Sequence, residues 1–204
     1  MTFSLPASNV TRVLYGAPVT RRRDALRNRA AILEAANDVL AGGGAAALMP
    51  EVARRAGVAQ ATLYRHFADR QALVAAVIDH QLRLLEALAA GQVPFRDLLH
   101  EVLRRQIAMH ELVRLVRRLE PAVQQRYRQR AIAAVAVAMN RAHRDGHVRA
   151  DLTSEDLALM FAMVQGAAEN ATGPAAARAV DLLMDGLFSD LAAHCRSAPA
   201  SGDS

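Results

Sequence analysis

The chain of 204 residues contains no lysine, a single cysteine, few aromatic residues (4%) and no long apolar run. One cysteine, Cys195, excludes an intramolecular disulfide and any four-cysteine zinc site, which points to a reducing compartment rather than to a small secreted scaffold. The longest charge-free stretches, Val39–Pro50 and Leu157–Ala168, run about a dozen residues, whereas a bilayer needs about 20. No N-terminal stretch joins a basic start to an apolar core, so the expected location is the cytoplasm. With aromatics scarce and alanine roughly a fifth of the residues, the bias is towards helix and away from strand. The 52% hydrophobic and 22% charged content is that of a folded globular chain, and an all-α fold is expected.

All 25 basic residues are arginine, and the net charge is +5. Residues 1–70 hold ten Arg against five Asp and Glu, so the whole surplus lies in the first third. A basic head on a neutral body suits a polyanion met at one end, nucleic acid before membrane. The arginine-for-lysine bias itself has two readings, coding bias or a need for paired donors at phosphate and base edges.

Residues 1–23 lack apolar periodicity and end in Arg21-Arg22-Arg23; they are expected to be a flexible basic arm. A first helix is predicted from Asp24, with Leu26, Ala30, Leu33, Ala36, Val39 and Leu40 on one face and Gly42-Gly43-Gly44 at its end. Short helices about Met49–Ala56 and Gln60–Phe67 follow, then a long one capped by Asp69 and ending at Gly91. Beyond Pro94 the pattern stays helical. Two adjoining helices fill Leu98–Leu119, Pro121 opens a long Ala/Val-rich helix to Gly146, and Thr153-Ser154-Glu155-Asp156 approximates a capping box. Gly173-Pro174 opens the last helix. The expected division is a head over 24–70, a helical bundle over 71–196 and a flexible small-residue tail over 197–204.

The segment 52–67 has the spacing of a helix-turn-helix. Ala53 is small where two helices cross, and Gly57, four residues on, can take the positive φ that the turn requires. Val58, Leu63 and Phe67 face the core, which leaves Gln60, Ala61, Thr62, Tyr64, Arg65 and His66 on the outer face of the second helix. Such a helix lies in a major groove with its N-terminal residues on base edges. Glutamine can pair with adenine, arginine with guanine and an alanine methyl with a thymine methyl, while the Thr62 and Tyr64 hydroxyls suit phosphate.

The run Ala-Arg-Arg-Ala-Gly-Val-Ala-Gln-Ala-Thr-Leu-Tyr-Arg-His-Phe-Ala-Asp-Arg-Gln-Ala-Leu, residues 53–73, resembles the DNA-binding signature of the TetR (tetracycline repressor) family of bacterial transcriptional regulators. The likeness extends over about residues 26–90 and is weaker at 146–159 and 179–187. It implies a homodimer whose last two helices form a four-helix bundle between subunits, heads that read a palindromic double-stranded DNA operator, and a larger domain that binds a small-molecule effector. The sequence departs from the pattern at Leu48, Met49 and Ala59, where the family carries hydroxyl residues. A lost hydroxyl cap costs about 0.5–2 kcal/mol, which Pro50 offsets in part by fixing φ in the first turn. Arg70 replaces the usual lysine and keeps a phosphate-directed charge. Arg21, Arg22 and Arg23 are either a solvated arm or a groove contact.

An enzyme in a helical bundle is a rival reading, and an effector-free architectural DNA-binding protein is another. A carboxylate-bridged metal centre wants paired Glu-x-x-His motifs, and the chain offers one Asp97-Leu98-Leu99-His100. His143 and His147 are split by Gly146, and no nucleophile elbow, phosphate loop or dinucleotide fingerprint occurs. Neither metal nor cofactor is expected, and the chain is not read as an enzyme. Polar or soft side chains on otherwise apolar helices mark a candidate effector pocket: His100, Gln106, Met109, His110, Met160, Met163, Gln165 and Asn170. Small or apolar second rows, Ala158 and Ala162 on one helix and Ala179, Leu182 and Gly186 on the next, mark either a deep core or, preferentially, a dimer seam. The expected whole is a ligand-released homodimeric repressor.

Overall fold

A computed structural model describes residues 17–44, 47–171 and 173–194, with side chains between 23 and 188. The described residues are helical throughout and contain no strand. The helices are α1 (Ala17–Ala41), α2 (Leu48–Arg55), α3 (Gln60–His66), α4 (Arg70–Ala90), α5 (Phe95–Ala108), α6 (His110–Val116), α7 (Pro121–Arg144), α8 (Ser154–Asn170) and α9 (Gly173–His194). The all-α expectation therefore holds.

Local chemistry fixes most boundaries. Gly43 (φ +77°) follows the end of α1, and Gly57 (φ +64°) makes the turn between α2 and α3. Asp69 caps α4 by accepting from the Ala72 N–H at 2.7 Å. Pro121 sits in the first turn of α7, and Gly146 (φ +68°) ends it, with the His147 N–H reaching back to the Ala142 carbonyl at 2.8 Å. Thr153 and Asp156 close the capping box of α8 in both directions. Ala47 and Ala59, at the starts of α2 and α3, give no side-chain cap, as their lack of a hydroxyl predicts.

The start of α1 differs from the prediction. The helix begins at Ala17 rather than near Asp24, so Arg21, Arg22 and Arg23 continue it and are not part of an arm. The side chains of Arg21 and Arg22, and all of residues 1–16 and 195–204, lie outside the described residues. Leu26 is 63% exposed and Ala30 is exposed too, because the first turns of α1 project beyond the helices it packs on; its buried face starts at Ile32 and Leu33.

Two apolar cores divide the molecule. The first joins α1, α2, α3 and the N-terminal half of α4 through residues such as Ile32, Leu40, Val52, Leu63, Phe67 and Leu73, and reaches Leu112 of α6. The second joins α5, α7, α8 and α9 with Ala89 of α4, through Leu99, Leu103, Val135, Leu157, Val164 and Val180. In α4 the buried face holds Val77, Ile78 and Leu82, while Leu84 and Leu88 are partly exposed. The 70/71 boundary is thus not a packing boundary: α4 belongs to both cores. It packs most extensively on α7. That contact is tied by Arg130, which donates to Glu86 with two nitrogens and to Asp79 with a third at 2.6 Å.

Candidate functional site

The first core orients α3. Leu63 and Phe67 are buried, which turns Gln60, Ala61, Tyr64 and Arg65 outward and leaves Thr62, His66 and Arg70 half-buried. Tyr64 is 50% exposed, a large ring held in solvent beside a fully buried leucine. The Arg65 guanidinium donates to the Thr62 hydroxyl at 2.8 Å, which sets it along the helix face without a carboxylate to neutralise it. On α2 the opposite holds: Arg54 and Arg55 both donate to Glu51, whose carboxyl is lowered to about 2 by those two hydrogen bonds. The Arg29 guanidinium of α1 lies over the Phe67 ring at 4.8 Å and ties α1 to the end of α3. A short, exposed, carboxylate-free helix presented after a glycine turn is a surface built to meet an anionic groove.

The second feature is a half-open cavity of about 750 Å³ between α4, α5, α6, α7 and α8. Its walls are mostly apolar, with Leu85, Val102, Met109, Val113, Tyr127 and Phe161 among them. Gln106, Met109 and Gln165 lie on it as the sequence suggested. Gln106 donates to the Phe161 carbonyl at 2.8 Å, bridging α5 and α8. Five of the expected residues are placed elsewhere. His100 pairs with Asp181 across α5 and α9 at 3.3 Å, and Asp181 is held below the usual carboxylate range by His100 and Arg104. His110 lines a shallower depression with Arg114 and Arg118. Met160 is buried in the second core, Met163 is exposed, and Asn170 donates to the Gly166 carbonyl one turn back.

Ala158 and Ala162, expected on a dimer seam, line this cavity instead, because α8 turns Leu157, Met160 and Val164 into the second core. The large apolar side chains that α8 leaves in solvent are Leu159 (59% exposed) and Met163, and Ala162 is exposed as well. On α9, Leu182 and Gly186 are exposed and Ala179 is half-buried. No group of three or more potential metal ligands occurs among the described residues, and no described helix is long and apolar enough to cross a membrane.

Sequence reasoning missed the cavity walls contributed by α4 and α7. Gln81 follows Ile78 and precedes Leu82 and Leu85, the same polar-among-apolar signal that marked Gln106, and it lines the cavity. Its side chain also donates to Asn37 of α1 at 2.6 Å.

Comparison with known proteins agrees with this geometry. Residues 32–77, the span from the buried face of α1 into α4, match the model for bacterial regulatory proteins of the tetR family. A TetR transcription regulatory protein from Mycobacterium vanbaalenii is 30% identical, with a TM-score of 0.64 over 82% of this chain and 99% of that one. A TetR transcriptional regulator from Streptomyces coelicolor is 29% identical, with a TM-score of 0.62 over 78% of this chain and 98% of that one. A structure from Rhodococcus described as a putative TetR-family regulator, 24% identical with a TM-score of 0.54, shares the fold over 79% of this chain and 98% of its own. No curated protein matches the chain. With its helix-turn-helix geometry, the family match and a relative aligned over 99% of its own length in agreement, the chain belongs to the TetR family of DNA-binding transcriptional regulators.

Proposed function

We propose that the protein is a homodimeric repressor that leaves a palindromic operator when a small molecule fills the cavity. The reading head is α1 to α3 with the start of α4. Gln60, Ala61, Tyr64 and Arg65 meet base edges and backbone, with Thr62 and His66 beside them, and Arg70 and the Arg21–Arg23 segment of α1 meet phosphate. The exposed residues Leu159 and Met163 of α8 and Leu182 and Gly186 of α9, with the half-buried Ala179, supply the face covered by the second copy, which brings two heads to half-sites one helical turn apart.

The observation that carries this reading is the shared wall between cavity and head. Ile78, Leu82 and Leu112 belong to the first core and line the cavity. A ligand that displaces them moves atoms packed against α1, and Gln81 joins the same wall to Asn37 of α1. Such a ligand favours one spacing of the heads over another, which is all that release requires.

Operator selection tests the proposal. Randomised duplexes are bound at near-physiological salt and the retained fraction is sequenced. An enriched palindrome of fixed half-site spacing is expected; salt-sensitive retention of every duplex alike would point to an architectural protein and overturn it.

A further inference from the structure

The cavity is lined by five glutamines, Gln81, Gln106, Gln124, Gln125 and Gln165, in a mostly apolar wall. Its charged residues are already engaged. Arg105 pairs with Glu101, Arg117 with Glu169, and the exposed Arg128 donates to Gln125 at 2.6 Å. A cationic ligand would have to part Glu101 or Glu169 from its arginine, and the one lining arginine not set against a carboxylate, Arg128, is exposed and already donates to Gln125. A charge carried into the apolar part of the wall would be buried there without a partner.

Two of the glutamines have a fixed orientation. The Gln106 Nε2 donates to the Phe161 carbonyl at 2.8 Å and lies 3.4 Å from the Gln165 Oε1. The Gln124 Nε2 donates to the Leu119 and Arg117 carbonyls, at 2.7 and 3.1 Å. A backbone carbonyl only accepts, so in both side chains the nitrogen is the atom committed to the protein. What each retains is Oε1, an acceptor with no protein partner among the described residues.

We propose that the cavity selects an uncharged, mainly apolar molecule that bears a hydroxyl or N–H group, donated to Oε1 of Gln106 or Gln124. The proposal rests on reading this cavity as the effector site. Its volume falls in the range of about 300–1,000 Å³ that holds a drug-sized ligand, and a few placed polar groups in an apolar wall fix orientation. A ligand that buries apolar surface but brings no donor leaves both acceptors dry, and an acceptor-only ligand does the same with added repulsion.

The test is calorimetric titration of the full chain with a matched series: 4-nonylphenol, its methyl ether, 4-nonylbenzoate and (4-nonylphenyl)trimethylammonium, each below its micellar concentration. The phenol is expected to bind about three- to tenfold more tightly than the ether, the worth of one neutral hydrogen bond. The two ions are expected to bind more weakly than the ether. Gln106→Leu combined with Gln124→Leu should abolish the phenol's advantage and leave ether binding in place. Because Gln124 also holds the end of α6, Gln106→Met alone serves as a second variant, with the advantage reduced. Equal binding of phenol and ether, tighter binding of either ion, or no binding by any of the four overturns the proposal. Operator affinity is followed in the same samples to separate the two readings. Selective phenol binding that leaves the operator bound supports the ligand class and refutes release; operator release by an ion alone supports release and refutes the ligand class.

Discussion

Leu63 and Tyr64 are adjacent in sequence and opposite in role, and replacing each by alanine should separate stability from DNA reading. Leu63 is fully buried and Tyr64 is 50% exposed. Leu63→Ala removes three carbons, a methine and two methyls, from the centre of the first core and should cost about 2–5 kcal/mol. For a chain of this size that lowers the thermal midpoint by about 5–15 °C. Tyr64→Ala removes a ring from solvent and should change stability by no more than about 0.5 kcal/mol, within about 2 °C. Its effect belongs to the operator. Each head loses about 1 kcal/mol of hydrogen bonding and contact, two heads on one operator lose about 2 kcal/mol, and affinity falls roughly thirtyfold. Fluorescence anisotropy on the selected operator at fixed salt, beside thermal melts of both variants, gives the four numbers. A Tyr64→Ala protein that keeps operator affinity within about twofold, or one that melts as early as Leu63→Ala, would refute the assignment of the reading face.

Three further outcomes follow from other parts of the molecule. A Cβ at Gly57 would meet nothing within 4 Å, so Gly57→Ala tests backbone strain alone at φ +64°; a loss of about 1–2 kcal/mol is expected, with Gly57→Asn milder, by denaturant melts of both. Asn37→Ala and Gln81→Leu should each cost about 0.5–1.5 kcal/mol, and the double variant should cost less than their sum if the 2.6 Å bond between them is the shared interaction; strict additivity would deny it. Glu86 is held below its ordinary carboxylate range by the hydrogen bonds from Arg130. A depressed folded-state value means that the stabilisation is complete above the unfolded value of 4.5 and is lost as pH falls below it. The gap in thermal midpoint between the wild-type chain and Arg130→Met should therefore shrink between about pH 5 and pH 3, and a gap independent of pH would contradict the brace.

Much of the helix order was legible because its signals are local. Asp69, Pro121, Gly146 and the Thr153–Asp156 box each act within one turn, so the sequence places them without knowing what packs where. The outward face of α3 was legible for the same reason: with seven residues and a buried Leu63, only one face can remain outside. The start of α1 was less so, since its first turns bury nothing and carry no apolar period to read. The cavity depends on distances between helices far apart in the chain. Single residues such as His100 and Met163 carry the right chemistry for a pocket and yet lie elsewhere, because the few tens of degrees that separate an inward from an outward position on α5 or α8 are set by partner helices. Ala158 and Ala162 show the converse: small residues admit close approach, and nothing local says whether a neighbouring subunit or a ligand approaches.

The position of α4 in both cores bears on how a ligand could act at a distance. Its 21 residues contain no glycine or proline, so it has no built-in hinge and moves as a rod of about 30 Å. Phe67, just before it, is held in the first core, and Ala89, near its end, is held in the second. Between them Ile78, Gln81, Leu82, Leu85 and Leu88 face the cavity. A ligand wedged against the middle of such a rod cannot be absorbed locally: it tilts the whole helix or is refused. A tilt of about 5° over 30 Å carries one end about 2.5 Å relative to the other, and that is comparable to the reach of a hydrogen bond. In the proposed dimer, two heads set against a fixed half-site spacing would lose base contacts at displacements of that size without either core unfolding.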